Sequence, residues 1–183
     1  VDAPETGWGQ VLNGLFTDAV EIHNHAVNGR STKSFRDKGH WADVLEKLQK
    51  DDYVVIQFGH NDSKEDDPER YAAAHTNYRE NLQKYIEETR KKGAIPILCT
   101  PVQRRKSDDN GNFVDTHGEY PNVVKEVAAK FKVDIIDLHD ESRKIMESHG
   151  VEHSKSMFMH YLDGVFSKSP QGISDNTHFS PYG

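Results

Sequence analysis

Cys99 is the only cysteine among 183 residues, so no intramolecular disulfide can form. It lies in the apolar run Ala94-Ile95-Pro96-Ile97-Leu98-Cys99 and reads as a buried thiol; a lone cysteine is compatible with cytosol, periplasm and secretion alike. An apolar stretch of roughly eighteen residues, the length that signals a membrane-spanning helix, does not occur. Positive charge is also short. Lys and Arg total 23 against 30 Asp and Glu, a formal net charge of −7, which argues against a general nucleic-acid or anionic-membrane surface. There is no internal repeat and no low-complexity segment. No signal peptide is visible, the chain starting abruptly at Val1-Asp2-Ala3-Pro4.

What is present suits one domain, for which the usual length is roughly 100–200 residues. A chain of this size buries about two-thirds to three-quarters of its unfolded surface and needs no metal or disulfide staple. Tyr53-Val54-Val55-Ile56-Gln57-Phe58 and Ala94 to Cys99 read as buried strands. Val133-Asp134-Ile135-Ile136-Asp137 reads as a further strand, and the half-polar Val20 to Ala26 as a weak one. Helical stripes lie between them: Trp8, Val11, Leu12, Leu15 and Phe16 on a first helix; Trp41, Val44, Leu45 and Leu48 on a second; Leu82, Tyr85 and Ile86 on a long polar helix ending at Gly93. Val123, Val124, Val127 and Phe131 follow Pro121 on another. Strands alternating with helices of this length indicate an α/β fold with a mostly parallel sheet and helices on both faces. Lys106 to Asn112 reads as an excursion, a small hairpin turning at Asn110-Gly111.

In an open α/β sheet, ligands bind beyond the carboxyl ends of the strands. Three polar segments qualify. Asn28-Gly29-Arg30-Ser31-Thr32 follows the weak strand; its glycine allows close backbone approach, although taken alone a plain turn capped by Ser31 or Thr32 is the readier explanation. Phe58-Gly59-His60-Asn61-Asp62 follows the best strand, and Asn61 is suited to donate an amide N–H to an oxyanion; an Asx-type turn closing the strand explains it equally. In Asp175-Asn176-Thr177-His178, an acid three residues before a histidine can hold one imidazole nitrogen and leave the other as a base. Alone, that pair reads more readily as a capped turn with an exposed histidine.

Together with Gly7-Trp8-Gly9-Gln10, Asn24 to Ser31, Gln57 to Asp62, Thr116-His117-Gly118-Glu119-Tyr120-Pro121 and Asp175 to Gly183, the chain resembles the SGNH (GDSL-type) hydrolases. Within them it is similar to the rhamnogalacturonan acetylesterase-like carbohydrate esterases, along essentially its whole length. The resemblance implies a flavodoxin-like three-layer α/β/α sandwich and a single hydrolase domain over 1–183. It implies His178 as general base, Asp175 as its orienting acid, and Gly29 and Asn61 as oxyanion-hole donors. It further implies an acetylated polysaccharide or oligosaccharide as substrate, pectic rhamnogalacturonan foremost, and secretion or a periplasmic location. No metal and no organic cofactor is implied.

The chain departs from the family in one respect. The Gly-Asp-Ser block expected just before Gly7 is missing, since Val1-Asp2-Ala3-Pro4-Glu5-Thr6 holds no serine, and the sequence stops at Gly183 before the usual last helix. The expectation is an internal portion of a longer enzyme that lacks its central first strand. Each unpaired backbone group on the strand edges so left costs about 1–3 kcal/mol, and several would exceed a typical net stability of about 5–15 kcal/mol. Ser31 and Ser34 lie near Gly29, Ser63 follows Asp62 and Ser180 follows His178, yet none sits at the tight strand-to-helix elbow that activates a nucleophile.

Two other readings belong beside this one. A relative that binds carbohydrate without turnover would explain the missing serine. A metal site would use His23-x-His25 on one strand face with His60, His75, His117, His153 or His160, but H-E-x-x-H and clustered Cys/His spacings do not occur. Asp108 to Asn112 resembles part of a calcium loop without the Glu at its twelfth position. The Val151–Ser174 segment, with Met157, Phe158, Met159, Tyr161 and Phe166, is expected to wall the substrate cleft, or else to be a helix packed on the sheet, the reading preferred for the two methionines.

Overall fold

The computed structural model describes residues 4–167 and 169–183; Val1 to Ala3, part of the stretch where the serine block is expected, lie outside the described residues. In chain order the elements are α1 (Trp8–Val11), α2 (Thr32–Asp37), α3 (His40–Lys47), β1 (Tyr53–Gln57), α4 (Arg79–Lys91), β2 (Ile95–Cys99), α5 (Tyr120–Phe131), β3 (Asp134–Ile136), α6 (Leu138–His153), β4 (Phe158–Tyr161) and β5 (Ile173–Phe179). They fall into two compact units, one of residues 27–102 and 117–141, the other of residues up to 26, 103–116 and 142–183.

The first of these is the α/β unit anticipated from the sequence. Its three strands are parallel in the order β1-β2-β3, with Ile56 opposite Leu98 and Leu98 opposite Ile135. Parallel neighbours need crossovers, which α4 and α5 supply. Val54, Ile56 and Leu98 share one face of the sheet. There they pack with Phe35 of α2, Trp41 and Val44 of α3, Leu82 and Ile86 of α4, and Val123 and Val127 of α5. Each fully buried aliphatic chain contributes about 1.5–3 kcal/mol, so the period-3.6 stripes hold these helices in place. Gly93, with φ +76°, follows the C-cap of α4, and Pro121 sits in the first turn of α5, both as expected. Arg36 grips Glu88 through two hydrogen bonds of 2.7 and 2.8 Å, and Trp41 Nε1 adds a third at 2.6 Å, tying α2, α3 and α4 together. On the opposite sheet face Tyr53 is 68% exposed. β1 is an edge strand: among the described residues no strand pairs with it on the side away from β2.

Two expectations fail in the N-terminal region. Residues 20–26 form no strand; Asn24 instead turns its side chain back to accept from Ala26 N–H at 3.1 Å, and its amide lies against Gly9, where a Cβ would meet it at 3.2 Å. The long first helix is one turn, α1, followed by a 3-10 turn at Leu12–Leu15. Its stripe is not buried, Leu15 being 78% exposed. A helix this short is not self-supporting in water, and Gly14 weakens it further.

In the second unit β4 and β5 pair antiparallel. Phe113, Met146, Met157 and Phe158 form its core. The Val151–Ser174 segment is not a helix throughout: α6 ends at His153, a 3-10 turn covers Ser154–Met157, and β4 follows. Met157 and Met159 are buried, but on a turn and a strand rather than on the expected helix packed against the sheet. The small hairpin is present, with Ser107 bridged to Phe113 and Gly111 at φ +81°.

Candidate active site

Asp175 and His178 lie on β5, where a regular strand could not bring them together, because residues three apart point to opposite faces. The ladder is interrupted there. Phe158 pairs with Phe179 and His160 with Ser174, so β5 advances five residues while β4 advances two. The three extra residues form a bulge. Within it Asp175 Oδ1 accepts from the N–H groups of Thr177 at 2.6 Å and His178 at 3.1 Å, while Oδ2 accepts from His178 Nδ1 at 2.7 Å. An ionised carboxylate only accepts, so Nδ1 carries the proton and Nε2 is the basic nitrogen. Burial alone would raise the Asp175 pKa, but its bonds from the His178 ring and from the two backbone N–H groups outweigh burial and hold it below the ordinary carboxylate range. Nε2 looks toward Glu5 Oε1, 3.8 Å away.

The bulge is braced from behind by a residue that sequence reasoning missed. Arg105, 7% exposed, donates from Nη1 to Asn176 Oδ1 at 2.7 Å, from Nε to Ser154 Oγ at 3.0 Å, and from Nη2 to Val151 O. Its backbone N–H donates to Asn176 O at 2.8 Å, and His160 Nε2 reaches Asn176 Oδ1 at 2.8 Å. Nothing in the Gln103-Arg104-Arg105 run marks it as buried.

In the α/β unit, Gly29 has φ +73° and nothing within 4 Å of where a Cβ would stand, so glycine is required there by backbone conformation. Asn61 is joined to the same segment, its Nδ2 donating to Arg30 O at 3.2 Å, and Arg70 Nη1 donates to its Oδ1 at 3.1 Å. Next to it, Asp62 is fully buried. Its Oδ1 accepts from Thr32 N at 2.9 Å and Thr32 Oγ1 at 2.5 Å, and its Oδ2 from Gly59 N at 3.1 Å. Burial pushes its carboxyl up to about 7, against the pull of those three bonds. Tyr120 OH donates to Asp62 O at 3.0 Å, and His117 Nε2 meets His60 Nδ1 at 2.9 Å. The blocks around Gly29, Asn61 and His117 therefore form one hydrogen-bonded network.

The serines considered as replacement nucleophiles all have neighbours to hold. Ser31 caps α2 by accepting from Ser34 N at 3.1 Å, and Ser34 Oγ accepts from Ser31 N at 2.9 Å. Ser63 Oγ donates to His60 O at 3.3 Å and Ser180 Oγ to Ser156 O at 2.6 Å. Among the metal candidates, His23 and His25 stack with ring centroids 6.5 Å apart, but on an irregular segment, and His23 lies 3.1 Å from Glu21. His60, His117 and His139 form a chain of imidazole contacts at 4.7 and 5.5 Å between centroids. In the calcium-like loop, Asp108 Oδ1 accepts from the N–H groups of Asn110 and Asn112 at 3.0 and 2.8 Å, an Asx-turn that accounts for its acid. Cys99 is buried, which pushes its thiol up to about 12.

A parallel α/β unit with an asparagine just past its first strand, and an Asp-x-x-His pair bonded through Nδ1, match what the resemblance to the SGNH hydrolases implies. Residues 1–183 match the GDSL-like lipase/acylhydrolase family, and the chain belongs to it. It is 40% identical over 182 residues to rhamnogalacturonan acetylesterase RhgT of Bacillus subtilis, covering 100% of this chain and 77% of the relative. It is 36% identical over 177 residues to the probable rhamnogalacturonan acetylesterase YesY of the same organism, covering 97% and 77%. The crystal structure of the Bacillus subtilis YxiM protein superposes with a TM-score of 0.81 at 23% identity, over 98% of this chain and 46% of that one, a likeness of fold.

Proposed function

We propose that this chain carries the general base, the orienting acid and two oxyanion donors of a serine-type carbohydrate acetylesterase, and that it acts on acetylated pectic rhamnogalacturonan outside the cytoplasm. The observation that carries the reading is the 2.7 Å bond between Asp175 Oδ2 and His178 Nδ1, which leaves Nε2 as the base. The names and identities of RhgT and YesY support the substrate class. Residues 1–183 are read as one hydrolase domain.

In this mechanism His178 Nε2 takes the proton of a serine hydroxyl as its oxygen attacks the acetyl carbonyl. Asp175 stabilises the imidazolium that results. The carbonyl π pair moves to oxygen, and the oxyanion is held by Gly29 N–H and an Asn61 N–H, each such donor being worth about 2.7–4 kcal/mol in the transition state. His178 then protonates the departing sugar oxygen as the C–O bond breaks. Water, deprotonated by the same nitrogen, then adds to the carbonyl of the acetyl-enzyme; the bond to the serine oxygen breaks, His178 returns the proton to that oxygen, and acetate leaves. Ser31, Ser34, Ser63 and Ser180 are not proposed as the nucleophile, because each supports a cap or a turn.

The test uses the full-length natural protein. Acetate release is measured from an aryl acetate, from acetylated rhamnogalacturonan and from acetylxylan, and a fluorophosphonate label is mapped by peptide mass. The expected result is preference for rhamnogalacturonan, a label on a serine other than those four, and at least about a hundredfold lower kcat in His178→Ala. Turnover by His178→Ala near the parent rate overturns the assignment of the base. Preference for acetylxylan overturns the substrate alone.

A further inference from the structure

We propose that Arg70 is a positioning residue for the oxyanion hole, fixing which way the Asn61 amide faces and strengthening the N–H it offers. The proposal rests on the reading of Asn61 as an oxyanion donor.

A guanidinium can only donate, so the Asn61 atom 3.1 Å from Arg70 Nη1 is Oδ1. The planar amide then directs Nδ2 the other way, where one of its hydrogens meets Arg30 O at 3.2 Å. The second hydrogen is the one an oxyanion would take. A flipped amide would set Oδ1 against both Arg30 O and the developing negative charge. Arg70 and Arg30 O thus bracket the amide from its two ends, and the direction of the donor is set before substrate arrives.

The cation also changes how well Asn61 donates. Hydrogen bonds in series polarise one another. A positive donor on the carbonyl oxygen draws electron density from nitrogen through the conjugated amide, which makes the opposite N–H a stronger donor. The gain is greatest when full negative charge faces that N–H, in the tetrahedral intermediate and its flanking transition states. The effect therefore belongs to kcat rather than to KM.

Arg70 is itself held firmly for a loop residue. Its Nε donates to Asp67 Oδ2 at 2.5 Å, and Asp67 Oδ1 accepts from the backbone N–H groups of Glu69 at 3.1 Å and Arg70 at 3.3 Å. The Asp67-Pro68-Glu69-Arg70 turn is closed by its own acid, and the guanidinium is half-buried at its end. The charged stretch from Lys64 to Arg70 thus presents a fixed cation to Asn61.

The experiment is a double-mutant cycle in the full-length protein on an aryl acetate. It compares the parent, Arg70→Met, Asn61→Ala and the double variant, with Arg70→Lys beside them and a melting curve for each. Arg70→Met is expected to lower kcat about tenfold with KM within about twofold, a fraction of the 10²–10³ that a whole oxyanion donor is worth. Arg70→Lys, which keeps one charged donor, is expected to recover part of the loss. Asn61→Ala is expected to lose about a hundredfold or more, and in that background Arg70→Met should change kcat less than about twofold, because its target is gone. An equal loss from Arg70→Met in both backgrounds overturns the proposal, as does a parent-like kcat in Arg70→Met. If Arg70→Met fails to fold, Asp67→Asn, which loosens the guanidinium without removing it, takes its place in the same cycle with the same two overturning results. A parent-like Asn61→Ala overturns the oxyanion reading and this inference with it, whereas a disabled Asn61→Ala beside an unaffected Arg70→Met overturns the inference alone.

Discussion

Acidification from pH 8 to pH 5 should stabilise this protein through Asp62, and replacing Asp62 with asparagine should remove that gain. The carboxyl is fully buried and is pushed up to about 7 from 3.8, burial outweighing the bonds from Thr32 Oγ1, Thr32 N and Gly59 N. Between those two values the folded protein keeps a proton that the unfolded chain has lost. The stabilisation is therefore complete below about pH 4 and is lost as pH rises through about 7. A gap of about three units at 1.36 kcal/mol per unit gives about 4 kcal/mol over the whole window, and about 2.7 kcal/mol between pH 5 and 7. For a domain of this size the smaller figure corresponds to about 5–10 °C in Tm. In Asp62→Asn the amide nitrogen must face one of the three donors, Gly59 N–H costing least, for a penalty of about 1–3 kcal/mol that does not depend on pH. The assay is a set of melting curves for parent and variant from pH 4.5 to 8.5. Carboxylates common to both cancel in the difference, leaving a variant that is less stable near pH 5 and gains relative to the parent as pH approaches 8. Two curves that stay parallel across the range would falsify the account. Thr32→Val, which removes one bond to the ionised form, should move the same transition to higher pH.

The remaining predictions concern the bulge on β5. Asp175→Asn keeps an oxygen for the Thr177 and His178 N–H groups but cannot accept from His178 Nδ1, so kcat should fall about a thousandfold or more with little change in Tm; a loss under tenfold would show that the acid does not orient the base. Arg105→Met keeps the buried volume but strips Asn176, Ser154 and Val151 of their cationic donor, and should cost about 2–4 kcal/mol in urea unfolding. An Arg105→Met protein as stable as the parent would refute the bracing role.

The parts of the fold that could be read from the sequence are those in which one short segment decides its own state. Val54 to Ile56 and Ile95 to Leu98 are continuous apolar runs of strand length, and they are β1 and β2. Trp41 and Val44, or Val123 and Val127, recur at helical spacing and are buried as that spacing requires. The Trp8 to Phe16 stripe has the same spacing and fails, because periodicity records which face is apolar and not whether anything covers it. Val20 to Ala26 fails for another reason: Asn24 bonds its own backbone two residues on and competes with any ladder. Of the candidate site, Gly29, Asn61, Asp175 and His178 were legible as motifs. Arg70 and Arg105 were not, since a charged residue in a polar stretch carries no periodic signal, and each becomes meaningful only when a partner nine or 71 positions away is folded against it.

The bulge also explains why a short D-x-x-H motif can be a rigid device rather than a loose turn. Strand periodicity alone would set Asp175 and His178 on opposite faces of β5, and a free loop would bring them together only at an entropic cost of about 1–2 kcal/mol for each residue fixed. Here the extra residues leave two backbone N–H groups, those of Thr177 and His178, outside the ladder. Asp175 Oδ1 takes up both while Oδ2 takes the imidazole. The same carboxylate that holds the His178 imidazole therefore builds the loop presenting it, and Arg105 secures the intervening Asn176 by side chain and by main chain. Orientation of His178 is then a property of the folded strand pair, already set before a substrate is bound, which is what the general base proposed for this position needs if its reorganisation is not to add to the barrier.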